Sequence, residues 1–256
     1  MPRPQDGFTT TVQIRHPDGA CVHTSRHTSA GLTTTSHGDD SDVATFRGWL
    51  SRELVALPSW KLFSAILARA PAIICRWRQR FGKTQWKRSM KHGRMLKELN
   101  EIAPVIAECL RWVEDTDTAV HGRMEVVDLC SGYGYLGMFL SEMLPPSKVE
   151  MITLVDIMWP MHNQPDPPKE GQLDPTHLQL DGWPIRLGFS HQDLKKSGNR
   201  RRMGQRLFTS AEGPVIILAV HLCGTLSIHA TELFNAYPQV PICLHIGTVC
   251  QACNTC

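Results

Sequence analysis

The chain has 256 residues, 27 Lys and Arg against 24 Asp and Glu, a formal charge of +3 and an apolar fraction of 42%. Such a chain is long and apolar enough for one sizeable buried core with an extension, but the net charge names no partner by itself. Nine cysteines are scattered through segments that read as core, with no apolar secretory leader. This fits a reduced, intracellular protein with mostly free thiols better than a disulfide framework.

From Met1 to about Ser41 the chain is rich in Thr, Ser, His, Gly and Asp and has no sustained apolar period, so residues 1–41 read as a disordered leader. Asp6 and the Asp39-Asp40 pair weigh against an organelle transit peptide, which is poor in acids. Residues 42–120 read as a helical extension: Ala44 to Leu57, Trp60 to about Arg80 with a break at Pro71, and a third helix through Met95, Leu99, Ile102, Ile106 and Leu110. Asn100 and Pro104 argue against continuity of that third helix. The most apolar stretch, Leu54 to Trp77, contains Lys61, Arg69 and two prolines. It therefore lacks the uninterrupted run of about 20 apolar residues that a membrane-spanning helix needs.

After His121 short apolar runs alternate with helical segments: Glu125 to Leu129, Met151 to Val155, Ile185 to Phe189, Val215 to Val220 and Ile242 to Ile246. That alternation predicts parallel strands joined by crossover helices, an α/β fold over residues 121–256. Pro160 to Pro184, rich in Pro, Asp and Gln, reads as a long irregular insertion.

The densest chemical signal is Val126-Val127-Asp128-Leu129-Cys130-Ser131-Gly132-Tyr133-Gly134-Tyr135-Leu136-Gly137, a strand running into a glycine turn and then an apolar helix. Glycine at 132 and 134 admits a cofactor close to the backbone, and the helix offers unpaired amides at its start. The spacing of Gly132, Gly134 and Gly137 also satisfies a nicotinamide-dinucleotide turn, so an oxidoreductase is one rival. Asp128 discriminates, because an acid at the strand end attracts an ammonium and a sulfonium but repels a pyrophosphate. The second strand ends at Asp156, placed to accept ribose hydroxyl hydrogens, and Gln192 and Asp193 follow the third at a position suited to an adenine amine.

These residues resemble the class I S-adenosylmethionine (SAM)-dependent methyltransferases, with Asp128-x-x-x-Gly132-x-Gly134 as motif I, Asp156 as the acid after strand two and Asp193 as the adenine-side acid. The resemblance covers roughly half the chain and implies a Rossmann-like sheet with SAM held by Asp128, Ser131, Gly132, Gly134, Asp156, Gln192 and Asp193. The fourth strand runs into His221-Leu222-Cys223-Gly224, similar to the element of a subfamily that includes tRNA 2′-O-methyltransferases. This resemblance implies that His221 faces the methyl acceptor and positions or deprotonates it, whereas Cys223 reads as packed core. Complete class I domains have seven strands, the last two forming a hairpin beside strand five. This chain stops soon after strand five, so the sheet is expected to lack them and expose an edge. A binding protein without turnover is therefore the second rival.

Between Arg69 and Lys97 basic residues accumulate without an acid. Arg76, Arg78, Arg80, Lys83, Lys87, Arg88, Lys91 and Arg94 interleave with Trp77, Phe81 and Trp86, a pattern suited to RNA phosphates and stacking bases. Lys195, Lys196, Arg200, Arg201, Arg202 and Arg206 form a second cluster. Cys250, Cys253 and Cys256 lack a second paired-cysteine half, and no metal site is assigned to them.

Overall fold

The computed structural model describes residues 7–16, 19–28, 43–161, 169–220, 222, 224–237, 240 and 242–248. Residues that composition placed in a disordered leader are two strands, β1 (Gly7–His16) and β2 (Gly19–Thr28), paired antiparallel from Gly7↔Thr28 to His16↔Gly19. Thr9, Thr10, Thr11, Val12 and Ile14 are β-branched and favour extended backbone. The intervening sequence reads Pro17-Asp18-Gly19, a hairpin signal that the bias towards polar residues conceals.

Five helices follow: α1 (Val43–Val55), α2 (Trp60–Leu67), α3 (Ala70–Arg80), α4 (Lys83–Met90) and α5 (Arg94–Asp115). Pro71 sits in the first turn of α3, where its missing N–H has no intrahelical partner to lose, and there it separates α3 from α2. Contrary to the expected break, α5 runs through Pro104 for 22 residues. It buries Met95, Leu99, Ile102, Ile106 and Val113 on one face, and this packing outweighs the local cost of the proline.

A single turn, α6 (Thr118–His121), leads to β3 (Met124–Leu129), α7 (Tyr135–Met143), β4 (Val149–Asp156) and β5 (Arg186–His191). Then come α8 (Ser197–Gly204), β6 (Val215–Val220), α9 (Leu226–Ala236) and β7 (Ile242–Thr248). The sheet order is β2-β1-β7-β6-β3-β4-β5, with β3 to β7 parallel and β1 antiparallel to β7. The edge expected to be open beside the fifth parallel strand therefore carries the β1–β2 hairpin from the start of the chain. Among the described residues no strand follows β7.

Side-chain alternation along the strands builds two cores. On β6, Ile216, Leu218 and Val220 face a core shared with α3, α5 and α7, while Val215, Ile217 and Ala219 face one shared with α8 and α9. Glu142 of α7, its side chain only 3% exposed, draws α3 onto the first core: it accepts from Arg76 Nη2 at 2.6 Å and Trp77 Nε1 at 3.0 Å, and pairs with Arg80. No helix among the described residues is long and apolar enough to cross a membrane.

The contact between α7 and β4 is set by glycine. A Cβ on Gly137 would stand 2.3 Å from Leu154 Cδ2 and 3.3 Å from Ile152 Cγ2. Helix propensity alone would favour alanine by about 1 kcal/mol, but overpacking of this buried contact costs about 1–3 kcal/mol. Gly137→Ala is thus expected to destabilise the chain in urea denaturation, and the same substitution in a Leu154→Ala background to be neutral or stabilising. Additive effects of the two changes would show that the close contact is not the cause.

Candidate functional site

The carboxyl ends of β3, β4 and β5 meet in a hydrogen-bonded junction. Leaving β3, the chain takes left-handed backbone at Cys130 (φ 58°), Gly132 (φ 52°) and Gly134 (φ 90°) before α7 starts. Cys130 has a Cβ and is therefore strained there by about 1–2 kcal/mol. The Ser131 N–H donates to the Val155 carbonyl at 3.1 Å, and the Gly132 N–H to Asp156 Oδ2 at 2.9 Å. The other oxygen, Oδ1, accepts the Met158 N–H at 2.8 Å, and the Gln192 N–H donates to the Asp156 carbonyl at 3.2 Å. One half-buried carboxylate thereby fixes the glycine turn to the end of β4 and orients the segment that follows.

The glycines have different roles. A Cβ on Gly132 would meet nothing within 4 Å, so this position opens onto free space above the turn. On Gly134 it would lie 2.6 Å from Leu154 Cδ1, so that glycine serves packing of helix on strand rather than access for a ligand. Asp128, at the turn-ward end of β3, is 2% exposed. Ser131 Oγ accepts from Trp159 Nε1 at 3.1 Å, and the Trp159 carbonyl faces His191 Nδ1 at 2.6 Å.

A cavity of about 130 Å³ adjoins this junction, walled by Met161, Phe189, His191, Gln192 and Arg206. His191 is the register partner of Asp156 and the Gln192 N–H donates to the Asp156 carbonyl, so two residues of the cavity wall adjoin the end of β4. An engineered cavity of about 150 Å³ takes up benzene, so this space suits one ring-sized fragment, not a whole dinucleotide. Asp193 stands apart: it accepts from the Lys195 N–H at 3.0 Å, pairs with Lys196 at 3.7 Å and closes the turn into α8. The structure thus gathers Asp128, Ser131, Gly132, Gly134, Asp156 and Gln192 at one edge and gives Asp193 a turn-closing role. His221 and Cys223 lie outside the described residues, as do Cys250, Cys253 and Cys256.

The insertion supplies residues that the sequence did not disclose. Fully buried His177 stacks on the Tyr133 ring at 4.1 Å, with Nε2 3.1 Å from the Tyr133 carbonyl and Nδ1 3.1 Å from that of Asp174. Ser89 of α4 braces the same turn, its Oγ donating to Tyr133 Oη at 3.2 Å and its carbonyl accepting from Tyr135 Oη at 2.9 Å. The pairings with Tyr133 and Tyr135 each span more than forty residues of sequence and leave no local pattern. Of the basic stretch, Arg76 and Arg80 are tied to Glu142, and Arg78 lies over the Phe46 ring at 4.6 Å. Trp77 and Phe81 are buried, so they do not serve as stacking platforms. Lys83, Lys87, Arg88, Lys91 and Arg94 are exposed.

No protein-family model matches this chain, and no curated protein does either.

Burial pushes the His177 imidazole down to about 4; the two facing carbonyls favour the cation, but desolvation outweighs them. The folded value lies below that of a free imidazole, near 6.5, so on acidification the unfolded chain binds the proton first. The stabilisation is complete above about pH 6.5 and is lost as pH falls towards 4, by about 3 kcal/mol in total. Urea unfolding from pH 7 to 4 is expected to show this loss in the native chain and a flatter profile in His177→Gln. Identical profiles would remove His177 as the cause.

Proposed function

We propose that this chain is a SAM-dependent methyltransferase whose acceptor is RNA. The observation that carries the reading is the Asp156 carboxylate at the carboxyl edge of β4, held by the Gly132 and Met158 N–H groups beneath the open face of Gly132. Each carboxylate oxygen accepts one backbone hydrogen and keeps a further lone pair, which suits two vicinal ribose hydroxyls. The nearby cavity, with Gln192 and Phe189 in its wall, suits one edge of a base rather than the whole bicycle. An ionised Asp128, buried near the end of β3, would favour a cationic ligand over a pyrophosphate.

The residues present fit the cofactor. Gly132 gives the methionine portion room above the turn, Asp156 accepts from the ribose, and Phe189 and Gln192 orient the base. SAM supplies, when bound, an electrophilic methyl group on a sulfonium. Strand β6 ends at Val220, and the following His221 is assigned to the acceptor, whose proton a neutral imidazole takes up near physiological pH. Methyl transfer from a bound sulfonium would be an in-line displacement, so the chain's main contribution would be to hold and orient the acceptor, with the acceptor's proton passing to His221. The exposed cations of α4, Lys83, Lys87 and Arg88, with Lys91 and Arg94 beyond them, favour a phosphodiester acceptor.

Calorimetric titration with SAM and S-adenosylhomocysteine tests this reading. Asp156→Ala and Gly132→Val are each expected to raise Kd by roughly tenfold or more while circular dichroism stays native. Absence of binding by the folded native chain would overturn the assignment. Binding of both ligands without methyl incorporation into RNA would favour a binding protein instead.

A further inference from the structure

Between Asp193 and Glu212 the chain holds six cations and no acid. Helix α8 lies within this stretch, and the segment's apolar side chains, Leu194, Met203, Leu207 and Phe208, are buried in the second core. Lys195, Arg201 and Arg202 are exposed on the outside. Arg200 shows what a structural cation looks like here: it donates to the Leu194 and Lys195 carbonyls and pairs with Glu232 at 3.4 Å, while Lys196 pairs with Asp193 and Arg202 reaches Asn199 of its own helix. Arg76 and Arg80 on Glu142, and Lys148 on the last carbonyls of α5, follow the same rule. The exposed α8 cations repel one another on a helix already weakened by Gly198 and Asn199, and Asp193 and Glu232 do not balance them.

The position of α8 matters as much as its charge. It packs on the face of the sheet opposite α4, yet both helices reach the same carboxyl edge. Helix α4 does so through Ser89 on the glycine turn, and the α8 segment does so through Arg206, which donates to Ser190 Oγ at the end of β5. The Asp156 junction and the ring-sized cavity lie between them.

We propose that α8 is a second phosphate-binding surface, and that a single RNA strand straddles the carboxyl edge with α4 on one side and α8 on the other. A path that turns from one face of a sheet to the other suits a flexible single strand; a duplex resists so sharp a bend. The inference rests on the RNA acceptor proposed above and adds to it the route and polarity-independent footprint of the strand.

The test is fluorescence anisotropy of a labelled, mixed-sequence single-stranded RNA on the full chain without cofactor, over a range of salt concentrations. The variants are K195Q/R201Q/R202Q on α8 and the turn before it, K87Q/R88Q/K91Q on α4 and its C-terminal flank, and R76Q as a structural control. Each phosphate contact on a single strand contributes about 0.7 to the salt slope, so either triple variant is expected to flatten it by about 2 and weaken binding roughly tenfold or more. R76Q is expected to lower stability and leave the slope unchanged. The α8 variant is expected to melt like the native chain and to bind S-adenosylhomocysteine with unchanged affinity. An unchanged slope in the α8 variant would overturn the proposal. So would equal loss of binding to phosphatidylserine vesicles or polyglutamate, which would mark a general anion surface. Native RNA binding that depends on α8, in a chain that does not bind S-adenosylhomocysteine, would sink the methyltransferase reading and leave this surface standing.

Discussion

The Asp156 carboxylate joins three parts of the molecule that the sheet alone leaves independent. Parallel ladders fix β3 against β4 along their lengths, but they say nothing of how the chain turns beyond them. The Gly132 N–H on one carboxylate oxygen and the Met158 N–H on the other decide that, setting the turn before α7 and the start of the insertion together. The left-handed Cys130 lies two residues before Gly132, so the same tethered turn contains the strained residue.

Packing reinforces this junction from below and from above. Below, Gly134 and Gly137 let α7 settle onto Leu154 and Ile152, where any side chain would push the helix away. Above, His177 and Ser89 press on Tyr133 from the insertion and from α4. The Tyr133–Gly134 half of the turn is therefore buried, while Gly132 faces open space.

Much of this was legible where the signal is local. Buried parallel strands read as continuous apolar runs, so β3, β4 and β6 stand out, and Asp128, Gly132 and Asp156 are placed by their position at strand ends. The hairpin β1–β2 was hidden because threonine serves equally in disordered and in extended chain; only Pro17-Asp18-Gly19 argued for the latter. The roles of Arg76 and Arg80 depend on Glu142, and that of Tyr133 on His177, partners that only the completed fold brings near. A run of cations has the same appearance whether it binds a distant carboxylate or solvent, so sequence could not sort α3 from α4. Gly134 shows a similar limit: its place in the turn suggested a ligand, whereas a leucine from the next strand requires it.

The antiparallel ladder between β1 and β7 joins Phe8 to Thr248, almost the whole chain apart. On the ribosome the hairpin emerges long before β7, so this ladder, with the largest sequence separation in the sheet, has the highest loop-closure cost and is placed to close late. Until then β7 presents an open edge and the hairpin an unattached one, and the hairpin of a second copy matches that edge as well as its own does. Sheet completion within one molecule is thus a kinetic contest, which dilution favours and crowding of nascent chains opposes.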